Sequence, residues 1–366
     1  MRRRSLVFVA AAAAACSSNR PPATEGGDAG AEVALTGRFD DADPGGPRFA
    51  WSGSTVTARF RGGAVDVDLV ESSADQRYAI VVDGQLRPGK LAPAAGRHRY
   101  RLADALGDGA HEVSLYRLTE AALGETQLAG VRVDDRALPV GGGAPRARRI
   151  ELIGDSISAG YGDEGRGRDC PFSPDTENHY LTYGAIAARH LDADLVTVAW
   201  SGKGVFSNRG STVDTVPMPA LWLRALPERA DSRWDFARYR PDAVVINLGT
   251  NDLADENPDW SPLPAAYLAF VRDVRARYPD AEILCGLGPM LSDDWPEGRR
   301  ALSTARDAIQ GAIAALAAAG DARIHLVEFP VQDGSTGYGC DWHPSLATHE
   351  RMAAQLEAAL RAHLGW

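Results

Sequence analysis

The segment RRIELIGDSISAGYG, Arg148 to Gly162, carries an apolar run straight into Gly-Asp-Ser and then into small residues. A serine placed where a strand turns toward a helix can project into the crevice at a sheet edge, so Ser156 is a nucleophile candidate by position. The plainer alternative is a turn capped by Asp155 and Ser156, a common use of both residue types. Only a base and a set of oxyanion donors elsewhere in the chain separate the two.

A serine hydroxyl is a weak nucleophile until a positioned base takes its proton. Of the eight histidines, His98 and His111 lie in the N-terminal half, His190, His349 and His363 on helical segments, and His325 in a strand; surface or packing roles account for them. His179, near a helix start beyond Cys170, is a weaker contender. His343, in GYGCDWHPS, follows an apolar strand by a loop and precedes the last helix, with Asp341 two residues before it. Donors for an oxyanion come from two further strand ends: DLVTVAWSGKG places Gly202 after one, and AVVINLGTND places Asn251 after the next. Gly202 offers an N–H with no side chain in the way, and Asn251 an amide. Singly these are ordinary turn chemistry. Gly-Asp-Ser, Gly, Gly-Thr-Asn-Asp and Asp-x-His in that order at successive strand ends are not.

Asp155 and Asp252 are expected to hold their loops through backbone hydrogen bonds, because no third or fourth ligand recurs at metal-binding spacing. Ester cleavage by a serine requires neither metal nor cofactor. Trp200, Trp260 and Trp342 flank the motif loops, where indoles can stack on sugar faces. Trp260, in ENPDWSP, is expected to be the most exposed of them, while packing explains Trp200 equally well.

These groups need strand ends to stand on. RIELI, DLVTVA, DAVVINL, EILCGL and RIHLVEF are nearly continuous apolar runs, as parallel strands buried on both faces should be. Between and after them HYLTYGAIAARHL, PLPAAYLAFVRDVRARY, RRALSTARDAIQGAIAALAAAG and HERMAAQLEAALRAHL show apolar residues at three- and four-residue spacing. PMPALWLRALPE, in the irregular stretch from Gly202 to Tyr239, is expected to hold a helix too. Residues 144–366 therefore form an α/β layer wound on a parallel sheet, whose ligand site lies beyond the C-terminal strand ends.

Upstream, from Val33 to Val140, RFAWSGSTVTARFRG, AVDVDLVES, RYAIVVDGQ, RHRYRLADAL, HEVSLYRLTE and LAGVRVDD alternate with period two between Gly, Asp and Pro turns. Residues 32–143 are expected to form an antiparallel β-sandwich ending at the GGGAP junction. Its role is either packing against the second half or contacting carbohydrate.

The N-terminus, MRRRSLVFVAAAAAACSSNR, joins three arginines to a short apolar run and small residues. That is an export signal, residues 1–16, resembling a bacterial lipoprotein signal that leaves Cys16 lipidated; Ala13, where such signals carry leucine, keeps ordinary cleavage and secretion as an alternative. The run falls short of the ~20 residues needed to span a bilayer. Residues 17–31 read as a tether. Placement is expected to be extracytoplasmic, lipid-anchored at the bacterial outer membrane, periplasmic or at the cell surface. Of the remaining cysteines, Cys285 in EILCGLGP behaves as a buried hydrophobe, which leaves Cys170 and Cys340 to pair in an oxidising compartment. A net charge of -10 disfavours capture of nucleic acid or an anionic membrane face.

With these blocks in place, residues 148–366 resemble the SGNH (GDSL-like) hydrolases, named for Ser, Gly, Asn and His. The sandwich ahead of the block, ELIGDSISAGYG with Cys170 following, LTYGAIAARHL, WSGKG and GCDWHP narrow the resemblance to carbohydrate esterase family two, the acetyl-xylan-esterase-like deacetylases. It implies a jelly-roll domain on an SGNH domain and removal of O-acetyl groups from sugars. It makes Ser156 the nucleophile, His343 the base, and the Ser156 N–H, Gly202 N–H and Asn251 amide the oxyanion hole. One position departs from the pattern: the aspartate usual three residues before the histidine is Cys340. Either Asp341 completes a triad or a backbone carbonyl orients His343 in a dyad; Asp341 is the expectation carried forward.

Three functions compete. A serine esterase would deacetylate a polysaccharide such as xylan or glucomannan. A carbohydrate-binding protein with a vestigial site is disfavoured by the complete Ser, Gly, Asn and His set. A lysophospholipase-like lipid esterase is disfavoured because no amphipathic lid or long apolar strip lies beside the motifs.

Overall fold

The computed structural model describes residues 31–141, 145–210 and 215–366; the expected export signal with Cys16, the expected tether up to residue 30 and residues 142–144 of the junction lie outside them. Ten strands come first: β1 (Glu32–Thr36), β2 (Arg48–Phe49), β3 (Thr55–Arg61), β4 (Val65–Glu71), β5 (Tyr78–Val82), β6 (Gln85–Leu86), β7 (Gly96–Ala103), β8 (Ala110–Arg117), β9 (Thr126–Val133) and β10 (Arg136–Leu138). They form two antiparallel sheets, β1-β3-β8-β5-β6 and β10-β9-β4-β7 with β2 on β9. In β4, Val65, Val67 and Leu69 are buried between the sheets, while Asp66 and Asp68 point outward to Arg101, Arg99 and Arg132 on neighbouring strands. Period two in the sequence is this inward–outward alternation. The run RFAWSGSTVTARFRG is two strands rather than one, because the chain turns at Gly53, whose φ of 76° suits glycine.

The second half builds one parallel sheet from β11 (Arg148–Gly154), β12 (Ala193–Ala199), β13 (Ala243–Asn247), β14 (Glu282–Leu287) and β15 (Ile324–Glu328), in the order β12-β11-β13-β14-β15. Its helices are α1 (Ser156–Ala159), α2 (Tyr183–His190), α3 (Met218–Leu221), α4 (Leu263–Arg277), α5 (Ala301–Ala318) and α6 (Leu346–Leu364). Ala243 and Val245 of β13 pack with Tyr183 and Ala187 of α2 and with Met352 and Leu356 of α6. Val244 and Ile246 pack with Phe270 and Val271 of α4 and with Ala308 and Ile309 of α5. Helices on both faces explain why these strands read as continuous apolar runs. The chain leaves β11 toward α2 and leaves β13 toward α4, on opposite faces, so a crevice opens between the C-terminal ends of these two adjacent strands.

Two helices are shorter than their patterns suggest. In PMPALWLRALPE only the single turn of α3 forms, and HYLTY begins as a 3-10 turn before α2. Pro217 and Pro219 admit a helix start, and the buried Met218, Leu221 and Trp222 serve the core without a longer helix.

Residues 31–366 form one compact unit. Ala50, Trp51 and Ala121 of the sandwich share a core cluster with Val205, Trp222 and the α4 and α5 residues. Across the same seam the buried guanidinium of Arg38 meets Glu151 of β11 at 3.0 Å, and Glu151 also accepts from Trp222 Nε1 at 2.5 Å and Tyr278 OH at 2.7 Å. Removing one partner of such a buried pair costs roughly 3–5 kcal/mol, since the other charge stays behind unpaired.

Candidate active site

β11 ends at Gly154, where a Cβ would collide with Ser158 Oγ; the close packing there requires glycine. Asp155 caps the following turn, its carboxylate accepting the Ile157 N–H at 3.0 Å, and Ser156 is the first residue of α1. Gly160 closes that turn with φ 91°. Ser156 thus sits at the strand end facing the crevice, buried but for a small part of its surface.

His343 Nε2 lies 2.8 Å from Ser156 Oγ. His343 Nδ1 lies 3.1 Å from two backbone carbonyl oxygens, those of Cys340 and Asp341. Carbonyls only accept, so the proton is assigned to Nδ1, which leaves the Nε2 lone pair to accept the Ser156 hydroxyl. Burial pushes the His343 pKa down to about 4, against the raising effect of those carbonyls. The imidazole is therefore neutral and aimed at the serine, the state a general base must occupy.

The triad expectation for Asp341 is corrected here. Its carboxylate accepts the Tyr161 hydroxyl at 2.8 Å and makes no hydrogen bond to His343, on which it acts only through its charge. Asp341 and Trp342 both take left-handed backbone, φ 50° and 65°. That tight reversal turns the Cys340 and Asp341 carbonyls, not the Asp341 side chain, onto the imidazole. Tyr161 stacks between the His343 and Phe172 rings, with centroids 4.3 and 4.4 Å away, and so walls one side of the base.

Gly202 follows β12 with φ 78°, and a Cβ there would meet open space. Neither its N–H nor that of Ser156 has a hydrogen-bond partner among the described residues, the latter because a first-turn N–H has none within the helix. Asn251 follows β13 and is buried; its Nδ2 donates to Lys203 O at 2.9 Å and approaches Asp155 Oδ2 at a longer 3.3 Å. Asp155, its pKa pushed up to about 7 by burial, thus links the serine turn to the Asn251 loop. Asp252 accepts the N–H groups of Val205, Phe206 and Ser207 at 2.7 to 2.9 Å, holding the loop after Gly202. Among the described residues no group of three or more His, Cys, Asp or Glu side chains is arranged to hold a metal.

Cys170 and Cys340 form a disulfide, and Cys285 is a buried free thiol, pushed up to about 12 by burial. Around the bridge Asp341 N donates to Cys170 O at 3.2 Å and Cys340 N to Gly162 O at 2.8 Å. The peptides that orient His343 are therefore pinned to the loop following the nucleophile. His179 is a packing residue, enclosed by Tyr116 OH at 2.6 Å and Thr197 Oγ1 at 3.0 Å, away from Ser156.

The tryptophans divide differently from expectation. Trp260 is only 8% exposed, with Arg299 stacked on its ring at 3.6 Å and its Nε1 donating to Ala254 O; it packs a loop and presents no face. Trp200 is half-buried against Trp51. Trp342 is 49% exposed beside His343, and Trp295, which sequence reasoning missed, is 66% exposed on the loop after β14. Trp295 lies in DDWPEG, a polar loop just past an apolar strand; the same signal that singled out Trp260 could have found it. Tyr161, five residues after the serine, was likewise missed.

Residues 152–351 match the GDSL-like Lipase/Acylhydrolase family, and residues 35–140 match the carbohydrate esterase 2 N-terminal domain. The chain is 41% identical over 337 residues to the cellulase/esterase CelE of Acetivibrio thermocellus, covering 91% of this chain but 40% of that protein. It is 27% identical to an acetylxylan esterase / glucomannan deacetylase of Cellvibrio japonicus, across 84% of this chain and 80% of the relative. Among solved structures, a family two carbohydrate esterase from Clostridium thermocellum in complex with cellohexaose superimposes with a TM-score of 0.84 at 39% identity, covering 91% of this chain and 99% of that one. With an antiparallel sandwich on a parallel SGNH layer and Ser156, Gly202, Asn251 and His343 at its strand ends, this chain belongs to carbohydrate esterase family two.

Proposed function

We propose that the protein is a serine esterase that removes O-acetyl groups from plant-type polysaccharides such as xylan and glucomannan. The observation that carries this reading is the 2.8 Å approach of His343 Nε2 to Ser156 Oγ beside two backbone N–H groups that have no partner among the described residues. Ser156 Oγ attacks the acetyl carbonyl as its proton passes to Nε2. The oxyanion takes the N–H groups of Ser156 and Gly202 and the Asn251 amide, which relinquishes its long contact to Asp155. Throughout, the Nδ1–H stays on the two carbonyls, so the imidazolium is stabilised first by their dipoles, with the Asp341 carboxylate adding its charge without a hydrogen bond. The sugar hydroxyl leaves with the Nε2 proton and the acetyl group stays on Ser156. A water then gives its proton to Nε2 and attacks the acyl carbon; the bond from that carbon to Ser156 Oγ breaks, Oγ takes the proton back from Nε2, and acetate leaves.

The exposed indole of Trp295 suits a sugar chain, as does the part of Trp342 that Arg168, 4.3 Å over its ring, leaves open, and likeness to a relative solved with cellohexaose supports a carbohydrate ligand. Acetate release from acetylated xylan, acetylated glucomannan and chitin oligomers tests the substrate; release from neither plant polymer would overturn it. Faster turnover of 4-nitrophenyl decanoate than of the acetate would point to a lipid esterase instead, and sugar binding without turnover of either to a binding protein. The exported placement, on a Cys16 lipid anchor or secreted, belongs to the same reading. Incorporation of a labelled fatty acid, lost in Cys16→Ser, checks the anchor.

A further inference from the structure

Glu120 belongs to the sandwich, on the short link between β8 and β9, yet its side chain reaches the catalytic half. Its Oε2 accepts the backbone N–H of Ser201 at 2.6 Å, and it is 3% exposed. Ser201 immediately precedes Gly202. On the far side of Gly202, its carbonyl accepts the Arg209 N–H at 2.8 Å. Gly202, whose N–H has no partner among the described residues, is thus clamped before and behind, and the clamp before it comes from the other half of the molecule.

The carboxylate is itself anchored. The Glu120 N–H donates to Glu177 Oε2 at 3.1 Å, and Glu177 lies in the segment between Cys170 and α2. The Glu120 carbonyl accepts from Arg117, a buried guanidinium that also reaches Gln76 Oε1 and Gly124 O at 2.7 Å. Trp51 of the sandwich packs edge-on to Trp200, supporting the same loop from behind. Burying a carboxylate is costly unless the bond it makes is strong and directed. Here burial raises the Glu120 pKa, while the bond to Ser201 opposes that rise.

We propose that Glu120 is a positioning residue for ester cleavage: by holding the Ser201 N–H it fixes the peptide that aims the Gly202 N–H at the oxyanion. The sandwich is then part of the catalytic apparatus and not only a packing partner. The role rests on the esterase reading above and adds to it a residue from outside the SGNH half.

An oxyanion donor acts on the transition state and little on bound substrate, so loss of aim lowers kcat at steady KM. With 4-nitrophenyl acetate and acetylated xylan, Glu120→Gln keeps an acceptor oxygen at the same reach and should lose no more than about threefold in kcat. Glu120→Asp withdraws the acceptor by one methylene, and Glu120→Ala removes it. Both should lose about tenfold to a hundredfold in kcat, short of the 10²–10³ for deleting a donor outright, with KM within about twofold. Phosphorylation of Ser156 by diethyl 4-nitrophenyl phosphate, which also builds negative charge on an oxygen, should slow in parallel. Where Glu120→Ala does not fold, the contrast between Gln and Asp carries the test. An Asp variant within threefold of wild type, a Gln variant no better than Asp, or kcat and KM changing together with a lowered Tm would each overturn the role. A wild-type protein inert toward both esters would overturn the esterase reading, and the role with it.

Discussion

His343 Nδ1 sits 3.1 Å from the carbonyl oxygen of Cys340, the residue three positions before it. That is the sequence position at which SGNH hydrolases usually carry an aspartate, so the orienting acceptor is supplied by main chain instead of side chain. Cys340 does two things at once: its sulfur bridges to Cys170 and its carbonyl holds the base.

Asp341→Asn should therefore cost less than about tenfold in kcat. Where a carboxylate orients the histidine, the same change costs up to ~10⁴-fold. Steady-state rates on 4-nitrophenyl acetate decide it, and a loss beyond a hundredfold would restore Asp341 to a triad.

Ser156→Ala should reduce acetate release to below about a hundredth of wild type while leaving Tm nearly unchanged, since the hydroxyl contributes several orders of magnitude to rate and little to packing. Retained turnover would remove Ser156 from the nucleophile role.

The pH profile follows from the base. Folded His343 binds its proton only near pH 4, whereas an unfolded histidine binds it near 6.5. The neutral base thus survives well into acid, and the acidic limb of kcat/KM should fall below pH 5. An acidic limb centred between pH 6 and 7 would contradict the burial argument. Between about pH 6.5 and 4 the unfolded chain takes up the extra proton, so His343 makes stability fall on acidification. Asp155 works the other way: its folded pKa is raised to about 7, so its contribution is present at low pH and lost as pH rises through 7.

Cys170→Ser should lower both Tm and kcat. The chain-entropy model assigns a bridge across a separation of 170 residues roughly 5 kcal/mol, and losing it also frees the peptides that orient His343. Cys285→Ser, buried away from the site, should lower Tm alone. Thermal melts and kcat measured on the same preparations separate the two cysteines.

Trp295→Ala should raise KM for an acetylated polysaccharide several-fold, and by more than for 4-nitrophenyl acetate, because an exposed indole has only a sugar chain to gain. Trp260→Ala should instead lower Tm, since that ring is buried under Arg299. The reverse pattern would restore the sequence-based ranking of the two.

What was legible in the sequence is what local pattern encodes. Alternation in VDVDLVE and continuity in AVVIN distinguish a strand buried on one face from one buried on two, because side-chain direction follows the backbone period. Trp260 shows the limit: a tryptophan amid Asn, Pro and Asp looks exposed until Arg299, nearly forty residues later, covers its ring.

By itself, then, the sequence determined the two architectures, the strand ends and the residue types waiting there: Ser156, Gly202 and Asn251 stand just past strands, and His343 on the loop between the last strand and the last helix. Tertiary structure alone decided which acceptor orients the base and what holds the oxyanion loop. The first depended on left-handed backbone at two non-glycine residues, Asp341 and Trp342, which residue type disfavours and only the surrounding contacts impose. The second depended on Glu120, 81 residues from Ser201. A hydrogen bond between two domains leaves no periodicity or spacing in a chain, because its geometry exists only once both halves have packed.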